Sequence, residues 1–452
     1  MMPHIRDPRR FNSFDGKLRP VAVSRIRASQ YVIALLAVSL CTEVTSVHAQ
    51  RRGSGRVRVA RSIRPLPKTA GLVFEETRAS ALRKSAELDA IIDELHRERG
   101  VTANALTTDE QFVRRIYLDV IGTLPTMSEA RRFLNDRSSD KRARLIDDLL
   151  NSEGYVDHAF NFWSNLLRVR ALGRGHASYR GYIDWIKSQF RQNRPYNEFV
   201  RELLSAEGKL LDNPPVAYTF RTTNMPEVGL GNMTRTFLGT RIECAQCHDH
   251  PFDHWTQDDF YGLLAFTKAT NGVGHGLKGG GQIMREMEKF GVKRNSPNVF
   301  AIKNIVLGNR NGVVDSRTPK VRYPSDYEGD VGRPKSFVDP RLLWESGYEN
   351  DGRTLRRIFA DWMTAETNDR FNKNFVNRYW RRLFGLGLIE PYDDIRDDSV
   401  TASPRALLFL IDLAVESDYN IKELLRVILN SDAYQRQSSP APPTPGEPYY
   451  FP

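Results

Sequence analysis

The sequence predicts a mainly α-helical protein, and three observations carry that prediction. Apolar residues recur at helical spacing, as in Leu88, Ile91, Ile92 and Leu95. Stretches of capping-box form, Thr107-x-x-Glu110, Thr126-x-x-Glu129 and Thr256-x-x-Asp259, stand just ahead of apolar runs. Runs of strand character are confined to residues 295–345. The expected architecture is a multi-helix domain carrying a Cys-x-x-Cys-His motif, a small β-containing insertion and a second helical domain.

Residues 1–49 read as an export signal. Seven basic residues precede the uncharged run Tyr31 to Thr42, and Val47-His48-Ala49 offers a small-x-Ala cleavage site. An uncleaved N-terminal anchor is the alternative, although the run is shorter than the ~20 residues a spanning helix needs. Residues 50–73 follow as a basic linker. Arg51 to Lys68 holds seven basic residues and no acid, and with the signal it carries the whole formal charge of +11. Residues 69–452 sum to about zero, so a basic body built to bind nucleic acid is not supported. The linker suits solvent or an anionic membrane surface.

Residues 74–270 form the first helical domain. A helix ends at Gly100; two more open at Thr107 and Thr126, with Gly122-Thr123-Leu124-Pro125 as the turn between them. Further helices are expected over Lys141 to Leu150, Val156 to Val169, Tyr182 to Phe190 and Tyr196 to Leu204. Glu227 to Leu238 places Leu230, Met233, Thr234 and Phe237 on one face and leads into the cysteine pair; the next helix runs through Tyr261, Leu264 and Phe266. Residues 271–345 begin with a Gly-rich loop containing His275, then give short strands at Val299 to Ile302, Ile305 to Leu307 and Lys320 to Tyr323. Residues 346–437 form the second helical domain, with helices over Arg353 to Leu383, Pro404 to Ser417 and Ile421 to Ser431. A Pro-rich tail, residues 438–452, reads as loose.

Metal-ligating side chains concentrate in one stretch, Cys244 to Trp255. Its first five residues are Cys-x-x-Cys-His, in which two thiols can join the haem vinyl groups as thioethers while His248 ligates the iron. Loss of Cys41 with the signal would leave Cys244 and Cys247 the sole thiols of an exported chain, in an oxidising compartment. Met225, Met233, His275 and Met284 are candidates for a sixth iron ligand, and an open sixth position is equally allowed. Zinc is the rival cofactor, held by Cys244, Cys247 and two of His248, His250 and His254. A thiol–disulfide couple lacks the expected βαβ context, and a plain structural disulfide is the simplest reading. Trp255 and Phe252 would wall a porphyrin or pack in the core.

Asp393, Asp394, Asp397 and Asp398 lack an EF-hand frame and read as a solvated helix start. Asp109 and Asp119 with Arg114 and Arg115 read as exposed pairs along a helix. The sequence contains no G-x-S-x-G, H-E-x-x-H or P-loop motif, which removes the commonest hydrolase and nucleotide-binding signatures.

Several blocks resemble a large exported, cytochrome-like family abundant in planctomycetes. They are Phe112 to Thr126, Asn193 to Val200, Cys244 to Trp255, Phe375 to Pro391 and Ile428 to Gln435. The resemblance implies two linked domains of unknown function, the first termed cytochrome-like for its Cys-x-x-Cys-His. That carries over to Cys244, Cys247 and His248 alone, and it leaves catalytic residues unassigned. Relatives often continue well past the tyrosine-containing block, so the second domain is expected to be short. The combined expectation is an exported periplasmic or envelope protein using haem c for electron transfer or redox chemistry, with a redox or envelope protein as partner. The alternative is a structural or binding protein of the envelope in which the cluster holds zinc or a disulfide.

Overall fold

A computed structural model describes residues 70–170, 179–268, 270–273, 288–289, 311–318, 321–345, 347–438 and 449–451. The export signal, the linker up to residue 69, His275, Met284 and the strands expected at 299–302 and 305–307 lie outside the described residues. Leu66–Gly281 together with Asn295–Pro452 make one compact unit, to which every element below belongs. The other unit, Met1–Pro65 with Gln282–Arg294, is described only at residues 288–289, both helical.

The chain is mainly helical, as its periodicity dictates. Helix α1 spans Ala70–Arg99 and ends where Gly100 turns into the left-handed region at φ +63°. Helix α2, Asp109–Ile121, is capped by Thr108 with Gln111 in a capping box, one residue beyond the Thr107/Glu110 pair expected. The cap shifts because Thr107 is buried and donates its hydroxyl to the Gln435 carbonyl, 2.8 Å away. Helices α3 (Met127–Asn135), α4 (Lys141–Leu150), α5 (Glu153–Leu166), α6 (Arg180–Arg191) and α7 (Tyr196–Ser205) follow the expected order. Next come α8 (Val216–Phe220) and α9 (Pro226–Met233), the latter continued by a wider π turn over Thr234–Leu238 that Gly239 closes at φ +62°. Helix α10 (Gln257–Thr267) starts on the predicted Thr256/Asp259 capping box.

The long helix expected over Arg353 to Leu383 is two helices, α11 (Leu355–Met363) and α12 (Asp369–Phe384). Asn368 breaks the run, because its side chain accepts the Phe371 amide and caps α12. Helices α13 (Pro404–Glu416), α14 (Ile421–Asn430) and α15 (Asp432–Gln435) complete the order. Among the described residues the β content is a three-stranded antiparallel sheet: β3 (Gly312–Asp315) lies between β1 (Gly208–Lys209) and β2 (Thr270–Val273). The strand expected at Lys320 to Tyr323 reduces, among the described residues, to a single bridge between Arg322 and Phe337.

The two helical segments share one hydrophobic core. Tyr196 of α7 stacks on Phe375 and Phe371 of α12 with ring centroids 4.4 and 5.2 Å apart. Buried Trp163 of α5 donates its indole N–H to the Tyr379 hydroxyl at 3.1 Å. Helix α14 packs on α1 and α4, and buried Asp147 accepts from Arg426 and Arg78, each at 2.7 Å. The acid–base residues of α2 make tertiary contacts, which corrects the expectation of pairs along the helix. Asp109 meets Lys141 and Arg142, Asp119 accepts from the Tyr434 hydroxyl at 2.7 Å, and Arg115 donates to the Tyr434 and Arg436 carbonyls. The end of the Pro-rich tail is also fastened: Phe451 is buried against Trp380 and Phe384.

A pH-sensitive contact sits at the α2 C-terminus. Gly122 adopts φ +74°, and a Cβ there would stand 2.4 Å from His158 Nδ1, so the imidazole packs directly on the turn. Burial, reinforced by the charge of Arg382, lowers His158 to about 4. The unfolded side chain titrates near ~6.5, so protonation favours the unfolded state. The contribution is complete above that pH and is lost as pH falls through 4. Melting temperatures of the wild type and of His158→Gln, compared between pH 7 and 4, are expected to change their difference across that window. A constant difference would show that His158 does not titrate this way.

Candidate functional site

The Cys-x-x-Cys-His block occupies a short 3-10 turn, Glu243–Gln246, and the loop after it, between the π turn and α10. Ile242 and Ala245 face inward and are fully buried, while Cys244, Cys247 and His248 face out. The alternation anchors the turn and leaves its chemistry at the surface. Backbone carbonyls do the anchoring: Tyr261 donates its hydroxyl to the Gln246 carbonyl at 3.0 Å, and Gln257 its amide to the Cys247 carbonyl at 2.8 Å. Burial, then the field of Cys247, pushes Tyr261 up to about 12, so its hydroxyl remains a donor. The Asp249 carboxylate accepts the Gln257 amide N–H at 2.9 Å, which ties the loop to the start of α10.

The three histidines have different partners. His248 Nδ1 lies 2.7 Å from the Asp249 carbonyl, a contact that only the Nδ1–H tautomer satisfies, and Nε2 then keeps its lone pair. His250 uses Nδ1 to accept the Phe252 amide N–H at 3.2 Å. His254 Nδ1 meets the Asp253 carboxylate at 2.8 Å, and its ring lies 4.1 Å from the Trp255 ring. Both thiols are free and exposed. Among the described residues no group of three or more His, Cys, Asp or Glu side chains is placed to hold a metal ion. The two aromatic residues part company, with Trp255 2% exposed and Phe252 77% exposed. Of the described sixth-ligand candidates, Met233 is buried in the core and Met225 is exposed.

The donor set fits covalent haem better than zinc. Haem asks for two accessible thiols and one imidazole nitrogen, which Cys244, Cys247 and His248 supply as they stand. Zinc asks for four donors converging on one point, and among the described residues no three His, Cys, Asp or Glu side chains converge in that way.

Part of the acidic run 393–398 serves this region: Asp397 and Asp398 are exposed as expected, whereas Asp393 and Asp394 depart from the reading as a solvated helix start. Asp393 and Asp394 are buried and precede α13 by a loop. Asp393 bridges Arg235 of the π turn and Arg241, accepting from each at 2.7 Å. Burial alone would raise its carboxyl, but the two guanidinium hydrogen bonds outweigh that and hold it below the usual range. Arg396, paired with Asp394, donates to the Phe252 carbonyl at 3.3 Å. Asp397 pairs with Arg370 and approaches His254 Nδ1 at 4.0 Å. A cleft of about 470 Å³ opens beside this contact, walled by Trp344, Tyr348, Trp362 and Arg370. Sequence reading missed these residues, because they come from three separate segments without a motif.

No helix among the described residues is long and apolar enough to cross a membrane. No curated protein and no solved structure matches the chain. Residues 87–271 match a family model described as a protein of unknown function (DUF1549), and residues 355–446 match a second, described as a protein of unknown function (DUF1553). The chain therefore carries these two linked domains of unknown function, with the exposed Cys-x-x-Cys-His turn inside the first and the acidic run that braces it inside the second.

Proposed function

We propose that this protein binds haem c covalently and serves electron transfer or redox chemistry in the periplasm or cell envelope, with a redox or envelope protein as partner. The observation that carries the reading is the Cys244–His248 turn: two free, exposed thiols precede an imidazole whose Nδ1 is committed to a backbone carbonyl. Cys244 and Cys247 would hold the porphyrin through thioethers, and His248 Nε2 would ligate the iron. Haem so held supplies one-electron transfer. Exposed Phe252 offers an apolar surface beside the turn, and the Gln257, Tyr261 and Arg396 contacts keep its backbone fixed. Export follows from the N-terminal signal, and the basic linker would hold the body near an anionic membrane surface.

Full-length protein expressed with cytochrome maturation machinery is expected to show a Soret band and a haem mass adduct that survives denaturation. Cys244→Ala with Cys247→Ala should abolish the adduct. His248→Ala should shift the spectrum while leaving the thioether mass in place. Colourless protein holding one equivalent of zinc would overturn the proposal, and an unchanged spectrum in His248→Ala would remove that residue as a ligand.

A further inference from the structure

The cleft beside the block has the composition of a built ligand site. Its volume, about 470 Å³, falls within the range of small-molecule pockets. Trp344 is its platform. The residue is 47% exposed, yet its backbone sits in the left-handed region at φ +61°, which a bulky side chain rarely adopts without a reason in the surroundings. Trp362 stacks near it at 6.1 Å and 27°, the Trp255 edge meets it at 5.5 Å, and the Arg370 guanidinium lies 5.7 Å from its centroid. These contacts hold the indole rigid and leave part of it open to the cleft.

Arg370 supplies a second, independent observation. It lines the cleft, is 5% exposed, and pairs with Asp397, while its Nη1 is buried with no hydrogen-bond partner among the described residues. A buried guanidinium N–H left without an acceptor costs about 1–3 kcal/mol, a deficit that a small rotation of the Arg370 guanidinium towards a ligand oxygen in the cleft would remove.

The charges select the ligand class. The lining carries five carboxylates against two guanidiniums, so an anion is repelled. Asp361 is already paired with Arg353 at 2.5 Å and Arg357 at 3.3 Å, Asp369 with Lys373 at 2.6 Å, and Asp397 with Arg370. Charge on these three groups is thus compensated, while their remaining lone pairs still accept hydrogen bonds. A compensated carboxylate has little to offer a cation, and the other two, Glu345 and Glu349, are exposed, where solvent and salt screen their charge. A compensated carboxylate suits a hydroxyl group, which donates to carboxylates and accepts from guanidinium. An indole face suits the C–H face of a sugar ring.

We propose that this cleft binds a neutral saccharide, one sugar ring lying on Trp344 with its hydroxyls between Arg370, Asp397 and Asp361. The inference does not rest on haem attachment, so its outcome is separate from the spectroscopy above. Full-length protein would be screened on an array of neutral, amino and acidic oligosaccharides, and each glycan retained would then be titrated by tryptophan fluorescence. A neutral glycan is expected to give a saturable change, weakened at least tenfold by Trp344→Ala and less by Trp344→Phe, with both variants melting cooperatively. Trp344→Phe keeps the test open should the alanine variant unfold. Retention of amino or acidic glycans alone, of none, or equal binding by both variants would overturn the proposal.

Discussion

Arg356→Ala is expected to lower stability by about 3–5 kcal/mol, because it strands a buried charge. Arg356 of α11 is 1% exposed, and its guanidinium donates to both oxygens of Asp315 on β3, Nε at 3.0 Å to Oδ1 and Nη2 at 2.9 Å to Oδ2. Asp315 is equally enclosed, with a side chain 2% exposed. The remaining N–H groups reach the Thr219 hydroxyl at 3.0 Å and the Ala206 carbonyl at 2.6 Å, so one side chain joins α11, the sheet, α8 and the end of α7. Removal of the guanidinium leaves a carboxylate in low dielectric with no counter-charge, and that penalty outweighs the pair's net worth. Arg356→Met combined with Asp315→Leu is therefore expected to recover most of the loss. Its residual cost comes from Thr219 and Ala206, which lose a donor, and from the Thr270 and Thr354 hydroxyls, which lose an acceptor. Chemical denaturation of the wild type, both single variants and the double variant measures the coupling. A single variant costing under about 1 kcal/mol would remove the ion pair as a stabilising link, as would a double variant that costs the sum of the two.

That pair also shows where sequence reading stops. Helices were legible because their signals are local: the Thr126 and Thr256 capping boxes stand where the structure puts them, and Gly100 ends α1. The Arg356–Asp315 contact joins residues 41 apart through a four-residue strand, Gly312–Asp315, too short to carry a clear period of its own. At the site, Cys244, Cys247 and His248 were legible as a string. Their outward orientation was not, because it depends on Ala245 and Ile242 filling the core beneath. Composition likewise could not separate Trp255 from Phe252, three residues apart, one buried and one exposed. Asp393 looked solvated for a related reason: a run of acids reads as a solvated helix start, and the compensating Arg235 and Arg241 lie more than 150 residues earlier.

Residues 74–270 and 346–437, expressed as separate chains, are each expected to fail to fold, although they fall near the bounds of two family segments. The cut exposes Phe371, Phe375 and Tyr379 of α12 on one side and Trp163, Tyr196 and Phe199 of α5 and α7 on the other, all of them essentially buried in the intact chain. At roughly 2–3 kcal/mol for each large apolar side chain returned to water, the loss is on the order of 10 kcal/mol or more, comparable to the whole stability of an ordinary domain. The cut also separates Asp147 from Arg426, two buried charges 2.7 Å apart, and removes the Asn193–Asn420 hydrogen bond. Intact protein should accordingly unfold in one transition, with tryptophan fluorescence and far-UV circular dichroism coincident, and the fragments should give collapsed amide dispersion in NMR spectra. A cooperative melt from either fragment alone would show that the two segments are separate folding units. Coincident unfolding of the intact chain would instead mean that Asp393 and Arg396 cannot leave the Cys244–His248 turn without unfolding the core, so the bracing of the site is as stable as the fold itself.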